Sequence, residues 1–456
     1  MCLEGVIFLA DYDLLVIGSG PGGYIAAEEA AKSGLKTAVV DKGPVGGTCL
    51  NSGCIPIQSY VQNGRWALQS KQLAQYGLAQ VSDDIDFKVL KARKDQVVQQ
   101  NQQGILQIFK SNEIDFIEGE AVFVKDKTFK VNDQTLSAKN VLLATGSRVL
   151  EPTIPGIEKV DYLTHENFFH MEDLPEHLVI VGASEHGVEF AFAMAALGVK
   201  VSLIEEKETI IPNQVKEVQD YVKKLFKKLS VEVIEGVTID HLSPDQVHLS
   251  DGQKIDFDQL LLMLSRRPDL TMVKAMGLEL DKKGTYLAVD ESYQSSSPGI
   301  YGVGDLIGGW PFAHAASHEG IKAVKAILGQ AEYPLDFNAV PRKMAVDVDV
   351  ESFGLHEDQA KEAGYDVISH QIPFMMNGAA AALEESEGFV NIISERQYGQ
   401  ILGGLVVGHG ASEIMHILLA VYQCEGTIDE LAQMVFAHPT LSETIGDVAK
   451  ALVRKY

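Results

Sequence analysis

The sequence of 456 residues contains few cysteines, no long apolar segment and comparatively little basic charge. The cysteines are too few for the disulfide framework of a secreted protein, so a reducing cytoplasm with one catalytic pair is expected. They are Cys2, Cys49, Cys54 and Cys424. No stretch approaches the roughly 20 apolar residues that a membrane-spanning helix requires. The short apolar run at 5–10 has no basic segment before it and ends at Asp11, so no cleavable signal is predicted.

The chain is strongly acidic. It has 38 basic and 63 acidic side chains, a formal net charge of −25. Such a surface repels phosphate backbones and anionic lipids, so neither nucleic acid nor a membrane is an expected partner. It either attracts a basic protein partner or only confers solubility. The length predicts about three domains.

Two cysteines lie five positions apart. Cys49 and Cys54 are flanked by glycines in the run from Gly46 to Pro56. A disulfide between them would close a very short ring, which gains little from constraining the unfolded chain. The pair therefore suits thiol–disulfide exchange better than structural cross-linking. The alternative is two reduced structural thiols.

A strand–turn–helix–strand pattern occurs twice. The first copy runs from an apolar strand at 13–17 through glycines at 18–23 to Asp41, and the second runs from 178–181 to Glu205. The first glycine precedes the terminal acid by 23 positions in both copies. One G-x-G-x-x-G pattern is weak evidence, but two in matching contexts predict two dinucleotide-binding units. A plain βαβ unit is the alternative for each copy.

The residue types in these units suit nucleotides. Glycines let the backbone approach a pyrophosphate, the helix N-terminus supplies positive potential, and the terminal acid accepts from a ribose hydroxyl. In the second copy a carboxylate at Glu205 repels a 2′-phosphate, and Glu206 adds to the repulsion. The second unit is therefore predicted to prefer NAD to NADP.

Further segments continue the αβ pattern. Apolar strands ending in glycine turns are predicted at 141–147 and at 300–305. From about residue 337 the character changes, with strands predicted at 340–354, 388–394 and 401–408 and helices between them. These features indicate a separate C-terminal αβ domain.

With these motifs, the chain resembles the flavin-dependent pyridine nucleotide–disulfide oxidoreductases from Tyr12 to the C-terminus. The most specific matches are the run around Cys49 and Cys54 and the sequence from His438 to Glu443. Weaker matches are Ala313-His314-x-Ala316, Glu319-Gly320 and Arg266-Arg267-Pro268. The resemblance implies an α/β fold with two Rossmann-like three-layer nucleotide-binding domains and a C-terminal α+β dimerisation domain. The implied boundaries are 1–148 for the FAD-binding domain, 149–269 for the NAD-binding domain, 270–337 for a segment that completes the FAD domain, and 338–456 for the dimerisation domain.

The resemblance also implies FAD and NAD as cofactors, and no metal. The residues expected to contact FAD are Gly18, Gly20, Gly23, Asp41, Gly47, Thr48, Gly119, Ala144, Thr145, Gly146, Gly304, Asp305, Ala313 and His314. Those expected at the NAD site are Gly182, Gly187, Glu189, Glu205, Val237 and Ser265.

The catalytic roles follow from the same resemblance. Cys49 is expected to exchange with the substrate, and Cys54 is expected to lie against the flavin. His438 is the expected acid–base, oriented by Glu443, because a dithiol must lose a proton to become a nucleophile and histidine can accept it near pH 7. In this family the histidine comes from the other subunit, so a homodimer is expected and a monomer would be inactive.

The closest match within the family is to members that oxidise protein-bound dihydrolipoamide and pass electrons through the cysteine pair to FAD and then NAD. A lipoyl-bearing acyltransferase or a glycine-cleavage carrier protein is then the expected partner. Two alternatives stay open. One is another NAD(P)H-dependent disulfide reductase, and the other is a paralogue with a weakened NAD site that acts mainly in binding or sensing.

Four positions depart from the family pattern. Gln58 replaces a lysine that normally pairs with the glutamate matching Glu189, which predicts a lowered flavin potential unless another cation substitutes. Ser184, Glu185 and Ser265 replace a glycine, an apolar or aromatic residue and a glycine. They cluster where NAD should bind, so a weakened nicotinamide site is expected, with ordinary turnover as the alternative.

Overall fold

The computed structural model describes residues 10–78, 84–330 and 335–454. The predictions about Cys2 and about the apolar residues before Ala10 lie outside these ranges. Within them, no helix combines the length and the apolar character needed to cross a bilayer.

The N-terminal part alternates strands and helices before it forms an antiparallel meander. Its elements are β1 (Tyr12–Ile17), α1 (Pro21–Lys32), β2 (Thr37–Asp41), α2 (Gly47–Ser52), α3 (Cys54–Ser70), α4 (Phe87–Ser111), β3 (Asp115–Glu118), β4 (Ala121–Lys125), β5 (Thr128–Val131), β6 (Gln134–Leu143) and β7 (Ser147–Val149).

The central part repeats the alternation and adds a small antiparallel sheet. Its elements are β8 (Tyr162–Leu163), β9 (His177–Val181), α5 (Glu185–Ala196), β10 (Lys200–Glu205), α6 (Lys216–Lys228), β11 (Glu232–Glu235), β12 (Ile239–Ser243), β13 (Gln246–Leu249), β14 (Lys254–Asp256), β15 (Gln259–Leu262), β16 (Arg266–Pro268) and α7 (Thr271–Ala275).

The C-terminal part begins with one strand and one helix and then forms an antiparallel sheet with helices. Its elements are β17 (Ile300–Gly302), α8 (Ala313–Ile327), β18 (Arg342–Ala345), β19 (Asp349–Gly354), α9 (Glu357–Glu362), β20 (Val367–Pro373), α10 (Gly378–Leu383), β21 (Phe389–Glu395), β22 (Ile401–Gly408), α11 (Ala411–Gln423), α12 (Ile428–Gln433) and α13 (Glu443–Val453).

Two sheets with parallel central strands carry the predicted nucleotide units, and in the first sheet β4, β5 and β6 pair antiparallel. The first has the order β3-β2-β1-β6-β5-β4, and β17 joins it by pairing in parallel with β6, Ile300 opposite Val141. The second has the order β11-β10-β9-β15-β8, with every pair parallel. Their central strands are almost wholly apolar and buried, as is typical of strands covered on both faces. The predicted α/β class is confirmed.

The C-terminal sheet is antiparallel, in the order β18-β19-β22-β21-β20. The single strand predicted at 340–354 is wrong: it is two strands, β18 and β19, because a turn at Val346 and Val348 reverses the chain and closes with a backbone hydrogen bond of 2.9 Å. The sequence analysis did not predict β20. Three of its seven residues are polar (Ser369, His370 and Gln371), and among the described strands it pairs only with β21, at the edge of the sheet.

Close helix packing positions the cysteine pair. Helix α3, which Cys54 begins, lies directly against α5 of the central part, and a Cβ added at Gly64 would meet the Ala196 Cβ at 2.9 Å. Helix α8 packs equally closely on α1, where a Cβ at Gly320 would lie 2.4 Å from the Gly22 carbonyl oxygen. The helix that begins at Cys54 is therefore packed against the second nucleotide unit.

Candidate active site

The two glycine turns have the same backbone conformation. The φ angle is 103° at Gly18 and 100° at Gly182, in the region that side chains rarely adopt. The amide N–H of each glycine donates to the carbonyl of Val40 or Ile204 at 2.8 Å, which ties the turn to the neighbouring strand. The predicted duplication therefore extends to individual hydrogen bonds.

The terminal acids perform the same local task in both units. In the first, one Asp41 carboxylate oxygen accepts from the Ser19 backbone N–H at 2.6 Å and the other from Gly43 at 2.9 Å. In the second, Glu205 accepts from the backbone of Ala183 at 2.7 Å and of Lys207 at 3.0 Å. Each acid stabilises its glycine turn. Asp41 Oδ2 also accepts from the Ser19 hydroxyl at 2.6 Å, whereas Asp41 Oδ1 and both Glu205 oxygens have a further lone pair with which to accept from a ribose.

The last glycine of each fingerprint allows the helix to approach the turn. A Cβ at Gly23 would lie 1.9 Å from the Gly18 carbonyl oxygen, and one at Gly187 would lie 2.0 Å from that of Gly182. No side chain fits at either position without moving the backbone.

The serine in the second fingerprint causes no backbone strain. Ser184 has φ −64° and ψ 176°, and its counterpart Gly20 has φ −64° and ψ 178°. Any residue adopts these angles. Ser184 is exposed, so its Cβ could crowd only a bound ligand.

One large cavity, of about 1280 Å³, extends from the first glycine turn past the cysteine pair to Ser184 and Ser265. Most of the residues predicted to contact FAD line it. They are Gly18, Gly20, Asp41, Gly47, Thr48, Gly119, Ala144, Thr145, Gly146, Gly304, Asp305 and Ala313. These residues suit FAD. Gly20 and Gly47 are so close that a Cβ on Gly47 would lie 2.7 Å from the Gly20 Cα, which leaves a side-chain-free cradle at the N-terminus of α1.

Other predicted residues lie outside this cavity. Gly23 lies behind the turn, and the His314 ring points to the Pro341 carbonyl oxygen, 2.8 Å from its Nε2. Of the predicted NAD set only Ser265 lines the cavity. The remaining members lie behind the cavity wall, in the second glycine turn, at strand ends and in the protein interior. They are Gly182, Gly187, Glu189, Glu205 and Val237.

The two cysteines face each other in the cavity wall. Their Sγ atoms are 2.6 Å apart, so a disulfide can form with little movement. The hydrogen bond between the thiols lowers the pKa of Cys49 and raises that of Cys54, which burial raises further. The Asn51 amide holds the intervening helix by donating to the Gly47 carbonyl at 2.8 Å, and Gln102 donates to Asn51 at 2.6 Å.

The predicted acid–base pair is present but lies apart from the cysteines. Nδ1 of His438 is 3.1 Å from a carboxylate oxygen of Glu443, whose other oxygen accepts from the Thr440 backbone at 2.8 Å. The Thr440 bond and then the His438 bond lower the pKa of Glu443. The His438 side chain is 81% exposed and does not line the cavity, so one chain alone does not unite the predicted catalytic residues.

An arginine beside the cysteines was matched in the sequence but given no role. The Arg266 guanidinium donates to the Ser147 hydroxyl at 2.9 Å and to the Ser147 carbonyl, and it reaches the Thr48 hydroxyl at 3.4 Å. It also contacts His165 and forms a 3.5 Å ion pair with Glu166. Arg266, on β16, thereby connects β7 to the start of α2, the helix that contains Cys49.

Two histidines in the cavity wall were missed because a lone histidine carries no sequence signal. A guanidinium can only donate, so Nε2 of His165 accepts from Arg266 and the ring is neutral with its proton on Nδ1. Burial and then the Arg266 charge lower the pKa of His165 to about 4. Enclosure by protein atoms also lowers the pKa of His186, which faces the same cavity beside Ser184.

The remaining unusual residues differ in their contacts. A Glu185 carboxylate oxygen accepts from the Gln214 amide at 3.1 Å, and Glu185 does not line the cavity. Gln58 is half-buried on α3. Glu319, from the weaker motif, accepts from the Gly304 backbone at 2.7 Å and so supports the turn that carries Asp305.

Two family models match the chain. The one described as pyridine nucleotide-disulphide oxidoreductase matches residues 12–320, and the one described as its dimerisation domain matches residues 340–449. The second match confirms the predicted C-terminal dimerisation domain and supports a homodimer.

Curated relatives match over nearly the whole chain. A dihydrolipoyl dehydrogenase of Bacillus subtilis (strain 168) is 33% identical, over 97% of this chain and 98% of its own length. One of Mycobacterium leprae (strain TN) is 32% identical, over 98% and 99%.

Solved structures share the fold. LpdA from Mycobacterium tuberculosis superposes with a TM-score of 0.87 at 24% identity, covering 96% of this chain and 99% of that one. The HOCl-induced flavoprotein disulfide reductase RclA from Escherichia coli gives a TM-score of 0.85 at 24% identity, over 96% and 99%. At this identity the likeness concerns the fold alone.

Proposed function

Because the chain belongs to the pyridine nucleotide-disulphide oxidoreductase family, we propose that it oxidises protein-bound dihydrolipoamide, with NAD as the final electron acceptor. The family and its dihydrolipoyl dehydrogenase relatives imply that the cofactors of this protein are FAD and NAD. The observation that carries the proposal is the pair of cysteine sulfurs 2.6 Å apart in the wall of a cavity that the first glycine turn also lines.

The chemistry at the cysteines is a thiol–disulfide exchange. A thiolate of the substrate attacks Sγ of Cys49, the Cys49–Cys54 bond breaks, and Cys54 leaves as a thiolate. The second substrate thiol then displaces Cys49, so the substrate becomes a disulfide and the protein a dithiol. The lowered pKa of Cys49 makes it the better leaving group in this second displacement. When bound, FAD would supply a two-electron acceptor for the cysteine pair.

Proton transfer is assigned to His438 of the partner subunit. Glu443 accepts from Nδ1–H, which leaves Nε2 with the lone pair that takes the substrate proton. The ionised Glu443 also stabilises the imidazolium that forms. The dimerisation domain supports this arrangement, since His438 and the cysteines are not adjacent within one chain.

The cofactor roles stay with the residues predicted for them. We assign the FAD diphosphate to the side-chain-free cradle of Gly20 and Gly47 and its ribose to Asp41. NAD is assigned to the second glycine turn, with Glu205 excluding a 2′-phosphate by charge. The four-part division at residues 148, 269 and 337 likewise remains our prediction.

A second candidate is a disulfide reductase with another substrate. It is favoured by the polar end of the cavity, where Ser184 and His186 lie beside the neutral His165. We expect the nicotinamide ring of NAD to bind differently at this polar end of the cavity than at an apolar site.

One assay separates the candidates. FAD-loaded protein should form NADH from NAD and dihydrolipoamide, and Cys49→Ser should abolish this while retaining the flavin. Yellow protein that reduces glutathione disulfide or another disulfide with NADH, yet produces no NADH from dihydrolipoamide, would favour the second candidate and contradict the first.

A further inference from the structure

Arg65 joins the cysteine helix to the C-terminal sheet. It lies on α3, which Cys54 begins, and its guanidinium donates twice to residues 346–349, the β18–β19 turn. Nε donates to the Val346 carbonyl at 2.7 Å, and Nη2 donates to an Asp349 carboxylate oxygen at 2.8 Å. The two charged side chains are only 19% and 14% exposed. A planar guanidinium held by two short bonds in so enclosed a place fixes the helix against the turn.

The same turn also contacts the second nucleotide unit. The Tyr221 hydroxyl, on α6, donates to an Asp347 carboxylate oxygen at 2.9 Å. The apolar side chains of the turn, Val346 and Val348, belong to one buried cluster with residues of α3, α5 and α6. The first unit, the second unit and the C-terminal domain therefore meet at this turn, where Arg65 supplies a polar contact to the cysteine helix.

The C-terminal domain also carries the proposed acid–base. The Asn377 amide donates to the Thr440 carbonyl and to the Thr444 hydroxyl, each at 3.0 Å, which holds the segment around His438 to this domain. In a homodimer formed through these domains, the angle between α3 and the C-terminal domain of one subunit sets where its cysteines meet His438 of the partner subunit.

We propose that Arg65 is a positioning residue that aligns the cysteine pair with His438 of the partner subunit. The alignment runs along α3 from Cys54 to Arg65, and from Asp349 through the C-terminal domain to the contact between subunits. The inference rests on the proposed function, which assigns proton transfer to the partner's His438, but it does not depend on the identity of the dithiol.

The length of α3 sets the size of the effect. Arg65 follows Cys54 by about three turns, roughly 16 Å along the helix axis. A tilt of about 4° at the Arg65 contact therefore displaces the cysteines by about 1 Å relative to the C-terminal domain. A misplacement of about 1 Å between reacting groups costs on the order of 10²-fold in rate.

The test is stopped-flow reduction of the FAD-loaded dimer, with dithiothreitol as one reductant and NADH as the other. Arg65→Gln removes the charge and the two bonds, so flavin reduction by dithiothreitol should slow roughly 10- to 100-fold. Reduction by NADH should be unchanged, because it does not use the partner's His438. Rates are compared at equal dimer and flavin content, measured by light scattering and absorbance.

Two variants probe the same contact. Arg65→Lys keeps the charge but cannot form both bonds, so its dithiothreitol rate should lie between those of wild type and Arg65→Gln. Tyr221→Phe is the matched control: it removes a bond to the same turn from α6 rather than from α3, and should leave the dithiothreitol rate unchanged.

A double-mutant cycle separates alignment from a merely structural role. In a His438→Ala background Arg65→Gln should cause no further loss with dithiothreitol, because no base is left to align. A loss of the same size in both backgrounds would overturn the proposal, as would an equal loss with dithiothreitol and NADH. If Arg65→Gln does not fold, a wild-type dithiothreitol rate in Arg65→Lys would overturn it. Neither reductant is dihydrolipoamide, so failure of the proposed substrate would not be mistaken for failure of this inference.

Discussion

Gly187→Ala should separate nucleotide binding from flavin binding. The added Cβ would lie 2.0 Å from the Gly182 carbonyl oxygen, whereas real Cβ atoms essentially never come within 3.0 Å of such an atom. Helix α5 must therefore move by about 1 Å or more relative to its turn. Because this turn and the helix N-terminus are the proposed NAD diphosphate site, the distortion should fall directly on NAD binding.

The expected magnitude follows from the cost of overpacking. Forcing one extra methyl group into a filled site costs roughly 1–3 kcal/mol, and 1.4 kcal/mol corresponds to a tenfold change in affinity. NADH should therefore bind roughly 5- to 140-fold more weakly to Gly187→Ala, while the FAD content measured by absorbance stays at the wild-type level. Isothermal titration with NADH measures the first quantity.

Two variants control this experiment. Gly23→Ala makes the equivalent clash at 1.9 Å in the first unit and should lose FAD instead. Gly104→Ala lies in the middle of α4 with no atom within 4 Å of the added Cβ, so it should leave both cofactors bound and stabilise the helix by up to about 1 kcal/mol. If Gly187→Ala binds NADH as tightly as wild type, or loses flavin as Gly23→Ala should, the assignment of the second unit to NAD is wrong.

Three further predictions concern single side chains. Glu443→Gln should lower the rate of dihydrolipoamide oxidation by roughly 10²-fold, because His438 loses the carboxylate that orients it. Reduction of bound flavin by NADH, measured by stopped-flow absorbance, should be unchanged. An equal loss in both half-reactions would contradict the role of His438. Arg266→Lys should cost roughly 1–3 kcal/mol in urea unfolding, because an ammonium cannot reproduce the fork of contacts to Ser147 and His165; no change in midpoint would refute this. Glu189 binds its proton more tightly in the folded than in the unfolded chain, since its pKa rises from the ordinary value near 4.5 to about 8. The free energy of unfolding should therefore fall progressively as pH rises from about 4.5 to about 8. Glu189→Gln should remove that fall, as measured by urea titrations at several pH values.

The nucleotide units were predictable because their determinants are local. Apolar strands, the glycines at 18 and 182 and the acids at 41 and 205 lie within one short segment each, and backbone geometry alone requires them. The spacing of Cys49 and Cys54 is local in the same sense. These features therefore appear in the sequence as patterns, and the structure reproduces them down to matching hydrogen bonds.

Other features depend on segments that are distant in the sequence. Strand β17 enters the first sheet only because it pairs with β6, and Arg266 acquires its role by meeting Ser147 and His165 more than a hundred positions away. No pattern near any of these residues records the contact.

Glu189 shows the difference most directly. From the sequence, Gln58 left an ionised carboxylate without its cation, which predicted a lowered flavin potential. Burial on α5 raises the pKa of Glu189 to about 8, so the neutral acid is favoured below that pH although the Ala345 N–H donates to the carboxylate. The lowered flavin potential, which also follows from the lost positive charge of the lysine, stays a prediction. The sequence determined which residue stands at this position; only the tertiary structure, by removing water from it, decided its charge.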